Sequence, residues 1–286
     1  MVDKLRIRTR IKKADVLGAA GLALFILIIG LLSSRLAHGL ALVIPLAGAT
    51  FVLTVLHLEL FRRAEDTFKE NQQLYAQLEA LVSVVSSVKL RRPLPPMRGW
   101  AISPDLARIL VLELLQKKPE KVMELGSGAS TILIAACLRD LGRGKLWSIE
   151  QAEEEARRSL ENLKLHGLTE WVEVVIAPLQ PIEISGERWM WYDVDKIPAT
   201  GKLDLLLIDG PSYPPKRGMR YPAMPILGSR LSDDVVVIVD DAGDALARHQ
   251  IERWLRAFPG FLLEWADTEK GTALLRGDVT RTTPRQ

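Results

Sequence analysis

Val122-Met123-Glu124-Leu125-Gly126-Ser127-Gly128-Ala129-Ser130-Thr131 is an apolar run that passes through a turn of small residues into a helix-like stretch. A buried strand feeding a helix through such a turn is a building unit of a parallel α/β sheet. Gly126 and Gly128 permit backbone conformations, and a close ligand approach, that a side chain would block. Glu150 ends the next strand-like run, 24 residues after Gly126. From there a carboxylate accepts both hydroxyls of a ribose.

Outward from this turn the pattern repeats. Strand-like runs at 121–125, 145–149, 171–176, 203–208 and 235–239 alternate with helix-like stretches at 131–141, 152–166 and 242–257. Ser103-Pro104 reads as an N-cap and first helical position, opening a further helix to about Gln116. Strands alternating with helices imply a parallel sheet covered on both faces. Runs at 261–265 and 272–276, either side of Asp267, Thr268, Glu269 and Lys270, read as a terminal antiparallel hairpin. The expected fold is a Rossmann-like, doubly wound, mostly parallel seven-stranded α/β sheet over residues 93–278, with a short tail at 279–286.

The chain before this domain has another character. Residues 16–32 and 39–56 carry no charge and are separated by a short break, Ser33 to His38, that contains Arg35. Each run is long enough to cross a hydrocarbon core of about 30 Å as a helix. Two transmembrane helices, about 16–32 and 39–57, are therefore expected within an anchor over residues 1–60. Lys4, Arg6, Arg8, Arg10, Lys12 and Lys13 precede the first run, and Arg62 and Arg63 follow the second. By the bias of basic residues, both ends face the cytoplasm, and the chain is expected at the cytoplasmic membrane as a multi-pass protein. A cleaved signal peptide would need a small-residue cleavage pattern, and a buried soluble hairpin would need a polar face; neither pattern is present.

Residues 61–92 read as a helical stalk and linker. Phe61, Phe68, Tyr75 and Val82 recur every seven residues, with Ala64, Asn71, Leu78 and Val85 between them, a short coiled-coil-like seam. It either pairs two copies of the chain or packs on the domain. Pro93, Pro95 and Pro96 then break helical continuity. The formal charge of +3 and a pI near 9.0 owe much to the basic N-terminus, which points to membrane lipid and away from nucleic acid. The single cysteine, Cys137, excludes an intramolecular disulfide and a multi-cysteine zinc site.

A nicotinamide dinucleotide fingerprint would place a third glycine at Thr131, where there is none. The turn also begins with the acid Glu124, which suits a cationic or amino-bearing ligand better than a diphosphate. On these residues the stretch from Pro93 to Arg276 resembles the class I S-adenosylmethionine-dependent methyltransferases, in the small-molecule O-methyltransferase branch. The resemblance implies that Glu124, Gly126, Ser127 and Gly128 line the methionine and ribose part of the cofactor and that Glu150 holds the ribose. Ser130 stands where many members carry a third glycine. Thr131, Gln151, Asp209 and Gly210 are expected to bind the cofactor with it. Pro178 and Leu179 take the adenine-contacting position, where many members have an acid. Trp100 and Ser103 belong to a Trp-Ala-x-Ser-Pro segment that suggests a lid near the cofactor, or packing.

The apolar run before Asp209 and the run before Asp240 and Asp241 deliver three acids to the carboxyl edge of the sheet, where open α/β sheets bind ligands. Asp209, Asp240 and Asp241 are the candidate catalytic residues, with Asp209 first for taking a proton from an acceptor hydroxyl; His249 is a further candidate. One of Asp240 and Asp241 also suits a helix cap. The trio is equally a candidate site for a divalent cation such as magnesium. Catechol-type enzymes carry Asp-Asn where this chain has Asp-Asp. Segments 189–193 and 213–222, rich in aromatics and proline, either shape an acceptor pocket or pin loops to the sheet. The expected function is O-methylation of a small-molecule, glycan or lipid-linked acceptor at the membrane. The alternatives are a nicotinamide-dependent oxidoreductase and a non-catalytic adapter that dimerises at the membrane.

Overall fold

A computed structural model describes residues 13–33, 40–211 and 219–277. The basic cluster before Lys13, the break at 34–39, most of the 213–222 segment and the tail lie outside the described residues, as do several helical side chains before Leu46. The chain divides into two compact units, Met1–Leu74 and Tyr75–Gln286.

The first unit contains helix α1 (Lys13–Ser33) and most of the long helix α2 (Leu40–Ser87). Among the described residues, no helix is long and apolar enough to cross a membrane. The spans expected at 16–32 and 39–57 are thus not supported there. The second of them is not a separate element: α2 continues unbroken from its apolar start through Glu59, Arg62 and Arg63 into a polar stretch.

The expected domain start at residue 93 also moves. Ala80, Val84 and Val88, near the end of α2, are buried, and Val84 and Val88 share a core with helices α3 (Pro104–Lys117) and α4 (Ala129–Leu141). Gln77, buried as well, donates through Nε2 to Asp105 Oδ2 at 2.6 Å and accepts from the Asp105 backbone N–H at 3.2 Å. The segment after it is no free linker either. Leu90, Leu94 and Met97 pack against the same core, and the Lys89 N–H donates to Asp140 at 3.1 Å. The seven-residue stripe points elsewhere: Tyr75, Leu78, Val82 and Val85 are exposed, as are Phe61 and Phe68. The helix packs on the domain, but by another face than the stripe.

The second unit is built on a seven-stranded sheet of order β3-β2-β1-β6-β7-β9-β8. Its strands are β1 (Lys121–Leu125), β2 (Lys145–Glu150), β3 (Val172–Ile176), β6 (Leu203–Ile208), β7 (Leu231–Val239), β8 (Phe261–Ala266) and β9 (Thr272–Gly277). The first five are parallel, and β9 and β8 close the edge in antiparallel pairing. Alternate residues face alternate layers. Val122, Leu205, Leu207, Val236 and Ile238 join the core under α3 and α4; Met123, Leu125, Leu206, Ile208 and Val237 join the core under α6 (Ala223–Leu227) and α7 (Ala245–Ala257). Each fully buried Leu or Ile contributes about 1.5–3 kcal/mol relative to exposure. Helix α4 is buried from Ala129 to Leu138, so its apolar residues need no polar face. Helix α5 (Glu153–His166) instead buries one stripe, Ala156, Ser159, Leu163 and His166.

Residues 189–193 are not a pocket loop. All but Asp193 belong to β5 (Glu187–Tyr192), which pairs antiparallel with β4 (Leu179–Ile184) in a separate hairpin. Its last two residues, Trp191 and Tyr192, are both buried in the second core, so these aromatics pin the hairpin to the sheet.

Candidate active site

Three carboxyl strand ends are tied together before any ligand is considered. The N–H groups of Asp209 and Gly210 both donate to Leu125 O, at 3.1 and 2.6 Å, and the Gly126 N–H donates to Ile149 O at 2.8 Å. Gly126 has φ +93°, and a Cβ there would lie 3.3 Å from Gly210 N. Gly210 has no room for one at all, since it would meet the Tyr192 hydroxyl at 2.2 Å. The turn therefore requires glycine at both positions, and the buried Tyr192 fills the space beneath them.

Glu150 is tied to the turn and lines the cavity described below. Its Oε2 accepts from the N–H and hydroxyl of Ser127 at 2.9 and 3.3 Å, and its Oε1 from the Ala152 N–H at 2.9 Å. Carboxylate oxygens retain further lone pairs for a ligand. Glu124 does not line the cavity. It is fully buried, and its Oε1 accepts from the hydroxyls of Ser148, at 2.6 Å, and Thr131. Its Oε2 is a buried oxygen without a partner. Burial pushes its pKa up to about 7, against the lowering effect of the Ser148, Thr131 and Ser130 hydroxyls. Thr131 Oγ1 also accepts from the Gly128 N–H at 2.9 Å, so Glu124 and Thr131 brace the turn from behind. Ser130 is buried beside them.

One cavity of about 890 Å³ runs along the sheet edge, lined at one end by Gly126, Ser127, Glu150 and Gln151 and at the other by Asp209, Gly210, Asp240 and Asp241. Trp100 lines it as an exposed side chain. Ser103 does not: it is buried, and its hydroxyl donates to Asp105 Oδ1 at 2.5 Å instead of capping α3. Pro178 and Leu179 are outside the cavity lining because they lead into the β4–β5 hairpin, where the Pro178 carbonyl accepts from the Asp193 N–H. His249 is exposed on α7 and away from the cavity, whose wall is formed there by Leu246, Ala247, Gln250, Ile251 and Trp254.

The three acids converge as expected, with one carboxylate oxygen of each within 4.8 Å of the others. Two cations, Arg220 and Lys270, stand among them. Arg220 donates to the backbone carbonyls of Asp209 and Asp240, to Asp209 Oδ1 at 3.3 Å and to Asp241 Oδ2 at 2.6 Å. Lys270 Nζ donates to Asp240 Oδ2 at 3.3 Å and to Ala101 O at 3.1 Å, and lies 3.7 Å from Asp241 Oδ1. Burial, followed by the charge of Asp240, pushes Asp209 up to about 7. Burial and Asp241 raise Asp240 too, against Lys270 and Arg220. Burial works against the charge on Arg220 and Lys270, but the surrounding aspartates outweigh it and hold both pKa values above their usual range. Asp241 adopts φ +52°, a backbone state uncommon outside glycine. The signal for both cations was present in the acids themselves, since three carboxylates brought to one edge, with Asp240 buried, favour nearby positive charge.

Residues 123–242 match the family model described as a methyltransferase domain. No curated protein matches the chain. Among solved structures, it is similar to an O-methyltransferase from Streptomyces achromogenes involved in tomaymycin synthesis, in complex with SAM (16% identity, 73% of this chain and 96% of that one, TM-score 0.49). It is also similar to an O-methyltransferase from Bacillus cereus in complex with SAH (16% identity, 72% and 91%, TM-score 0.46) and to a methyltransferase from Geobacter sulfurreducens (15%, 64% and 82%, TM-score 0.47). The stretch 123–242, which holds most of β1 and all of β2, β3, β6 and β7, is thus similar to a methyltransferase domain.

Proposed function

We propose that the second unit is an S-adenosylmethionine-dependent O-methyltransferase. The observation that carries this reading is the single cavity joining the Gly126–Glu150 end to the Asp209–Asp240 end. Its size falls in the range of small-molecule sites, roughly 300–1,000 Å³. Among the described residues its lining includes Glu150, Glu155, Asp209, Asp240, Asp241 and Asp244 against Arg220 and Lys270, a negative surround suited to a cofactor that carries sulfonium and ammonium charges. When bound, that cofactor supplies an activated methyl group. What the chain supplies is alignment and a proton acceptor: Glu150 and the Gly126–Ser127 turn hold one end, and Asp209 takes the hydroxyl proton of the acceptor. A carboxylate raised toward neutrality is well matched to that task.

The direct test is calorimetry of the full chain with S-adenosylhomocysteine. One molecule should bind per chain, and Glu150→Ala should weaken it by about tenfold, ~1.4 kcal/mol. Silence with S-adenosylhomocysteine together with binding of NADH would replace this reading with the oxidoreductase.

We further propose that the first unit holds the enzyme against a lipid bilayer at the cytoplasmic membrane, facing an envelope-related acceptor, and that two copies pair along the stripe on α2. Exposed Leu24, Phe25, Ile29, Leu53, Leu56 and Leu60 support the first, because solvent-facing apolar side chains at this density mark an interaction surface. Exposed Leu78 and Val82 support the second. The full chain should float with phospholipid vesicles and show a dimer mass in detergent that falls to a monomer in Leu78→Glu/Val82→Glu. Sedimentation away from vesicles would sink the tether, and a wild-type monomer would sink the pairing.

A further inference from the structure

We infer that Arg220 and Lys270 take the place of a divalent cation at the acid trio, so that this methyltransferase edge works as a closed ionic network and not as a metal centre. The inference builds on the reading above for its place in the reaction, but the chemistry of the donors decides it. A magnesium-type ion needs several oxygen ligands free to point at one centre. Here Asp240 Oδ1 accepts from the Asp241 N–H at 2.8 Å and Asp240 Oδ2 from Lys270, while Asp241 Oδ2 is committed to Arg220. Arg220 lies between the trio's members, reaching Asp209 and Asp241 with one nitrogen and the Asp240 carbonyl with the other. The residues present therefore do not fit a metal ion as they are arranged, because the guanidinium of Arg220 and the ammonium of Lys270 already occupy the space among the carboxylates, whatever lone pairs remain.

Both cations are fixed from behind. Arg220 is held by backbone carbonyls at the ends of two strands, which do not titrate and cannot swing away. Lys270 sits in the β8–β9 turn, which is joined to the segment after Asp240 by the Ala242 N–H to Gly271 O and Gly243 N–H to Lys270 O bonds. Neighbouring Glu269 is paired bidentately with Arg98, at 2.8 and 3.0 Å, and its N–H donates to Asp105. The network thus does two things that a metal would do. It offsets most of the trio's negative charge, and it fixes the orientation of Asp209 toward the acceptor.

Manganese serves as the probe, followed by electron paramagnetic resonance on the full chain with and without S-adenosylhomocysteine. The wild-type protein should leave the free-ion signal unchanged. Arg220→Met/Lys270→Met, which exposes three uncompensated carboxylates, should take up one Mn²⁺ per chain and lose it again when Asp240→Asn is added. Stoichiometric uptake by the wild type, abolished by Asp240→Asn, would overturn the inference. So would a folded double variant that takes up none. Should the double variant not fold, Lys270→Met alone should show weak uptake where the wild type shows none. Failure of the methyltransferase reading would appear separately, as absent S-adenosylhomocysteine binding in the same samples.

Discussion

Gly126→Ala should lose S-adenosylhomocysteine affinity by about tenfold or more and lower the stability of the second unit by roughly 1–3 kcal/mol. Gly128→Ala, two residues on, should keep wild-type stability. The two differ in backbone and surroundings, not in sequence context. At φ +93° an alanine is strained, and its Cβ would press on Gly210 N at 3.3 Å, a backbone atom that cannot rotate aside. Any relief must move Gly210, whose N–H is bonded to Leu125 O, and so must shift the Asp209 end of β6. At Gly128 the backbone is extended, with φ 174°, and a Cβ would meet nothing within 4 Å. Urea midpoints and calorimetric affinities measured on the pair settle the matter. A Gly126→Ala protein with native affinity and native midpoint would mean that the turn tolerates the strain and does not shape the cofactor end.

How much of this was legible in the sequence follows from which signals are local. The strand–turn–helix at 122–131, the parallel order implied by alternating elements and the convergence of Asp209, Asp240 and Asp241 all follow from periodicity and strand ends. The β4–β5 hairpin was missed because Gln180, Pro181 and Glu183 interrupt its apolar pattern and a proline argues against a strand. That miss carried Pro178 and Leu179 to the cavity on paper, whereas the hairpin draws them away. Glu124 was placed against the ligand because its position in the motif is visible, but the Ser148 hydroxyl that turns it inward comes from the neighbouring strand. The same limit applies to Arg220 and Lys270. They meet across long separations in the chain, and only the folded sheet edge brings them to one group of acids.

The boundary between stalk and domain shows a different failure. The seven-residue stripe is real as a pattern, yet the residues buried along the last turns of α2 and just after it are Gln77, Ala80, Val84 and Val88, on another face. A small residue, a polar one and two valines do not announce a packing surface. Gln77 is used because Asp105 offers it both a carboxylate and a backbone N–H.

Glu124→Gln should change the pH dependence of stability between pH 4.5 and about 7. The folded-state pKa of Glu124 is raised from 4.5 to about 7 by burial. A raised acid favours the native state most below its unfolded value. Between pH 4.5 and about 7 the unfolded chain ionises at this site while the native one keeps its proton, so stability falls across that window and levels off above it. The full difference of about 2.5 pH units corresponds to roughly 3 kcal/mol. Glutamine does not titrate, so the variant lacks this loss. Its carbonyl can still accept from Ser148 and Thr131, but its amide would occupy the place of the partnerless Oε2 at a cost of about 1–3 kcal/mol. The wild type should therefore be the more stable protein at pH 5, with the difference shrinking or reversing by pH 8. All seven tryptophans lie between Trp100 and Trp265, so urea unfolding followed by their fluorescence reports on the second unit alone. Parallel pH profiles for the two proteins would show that Glu124 is ionised in the native state throughout, held so by a partner beyond the serine and threonine hydroxyls that now surround it.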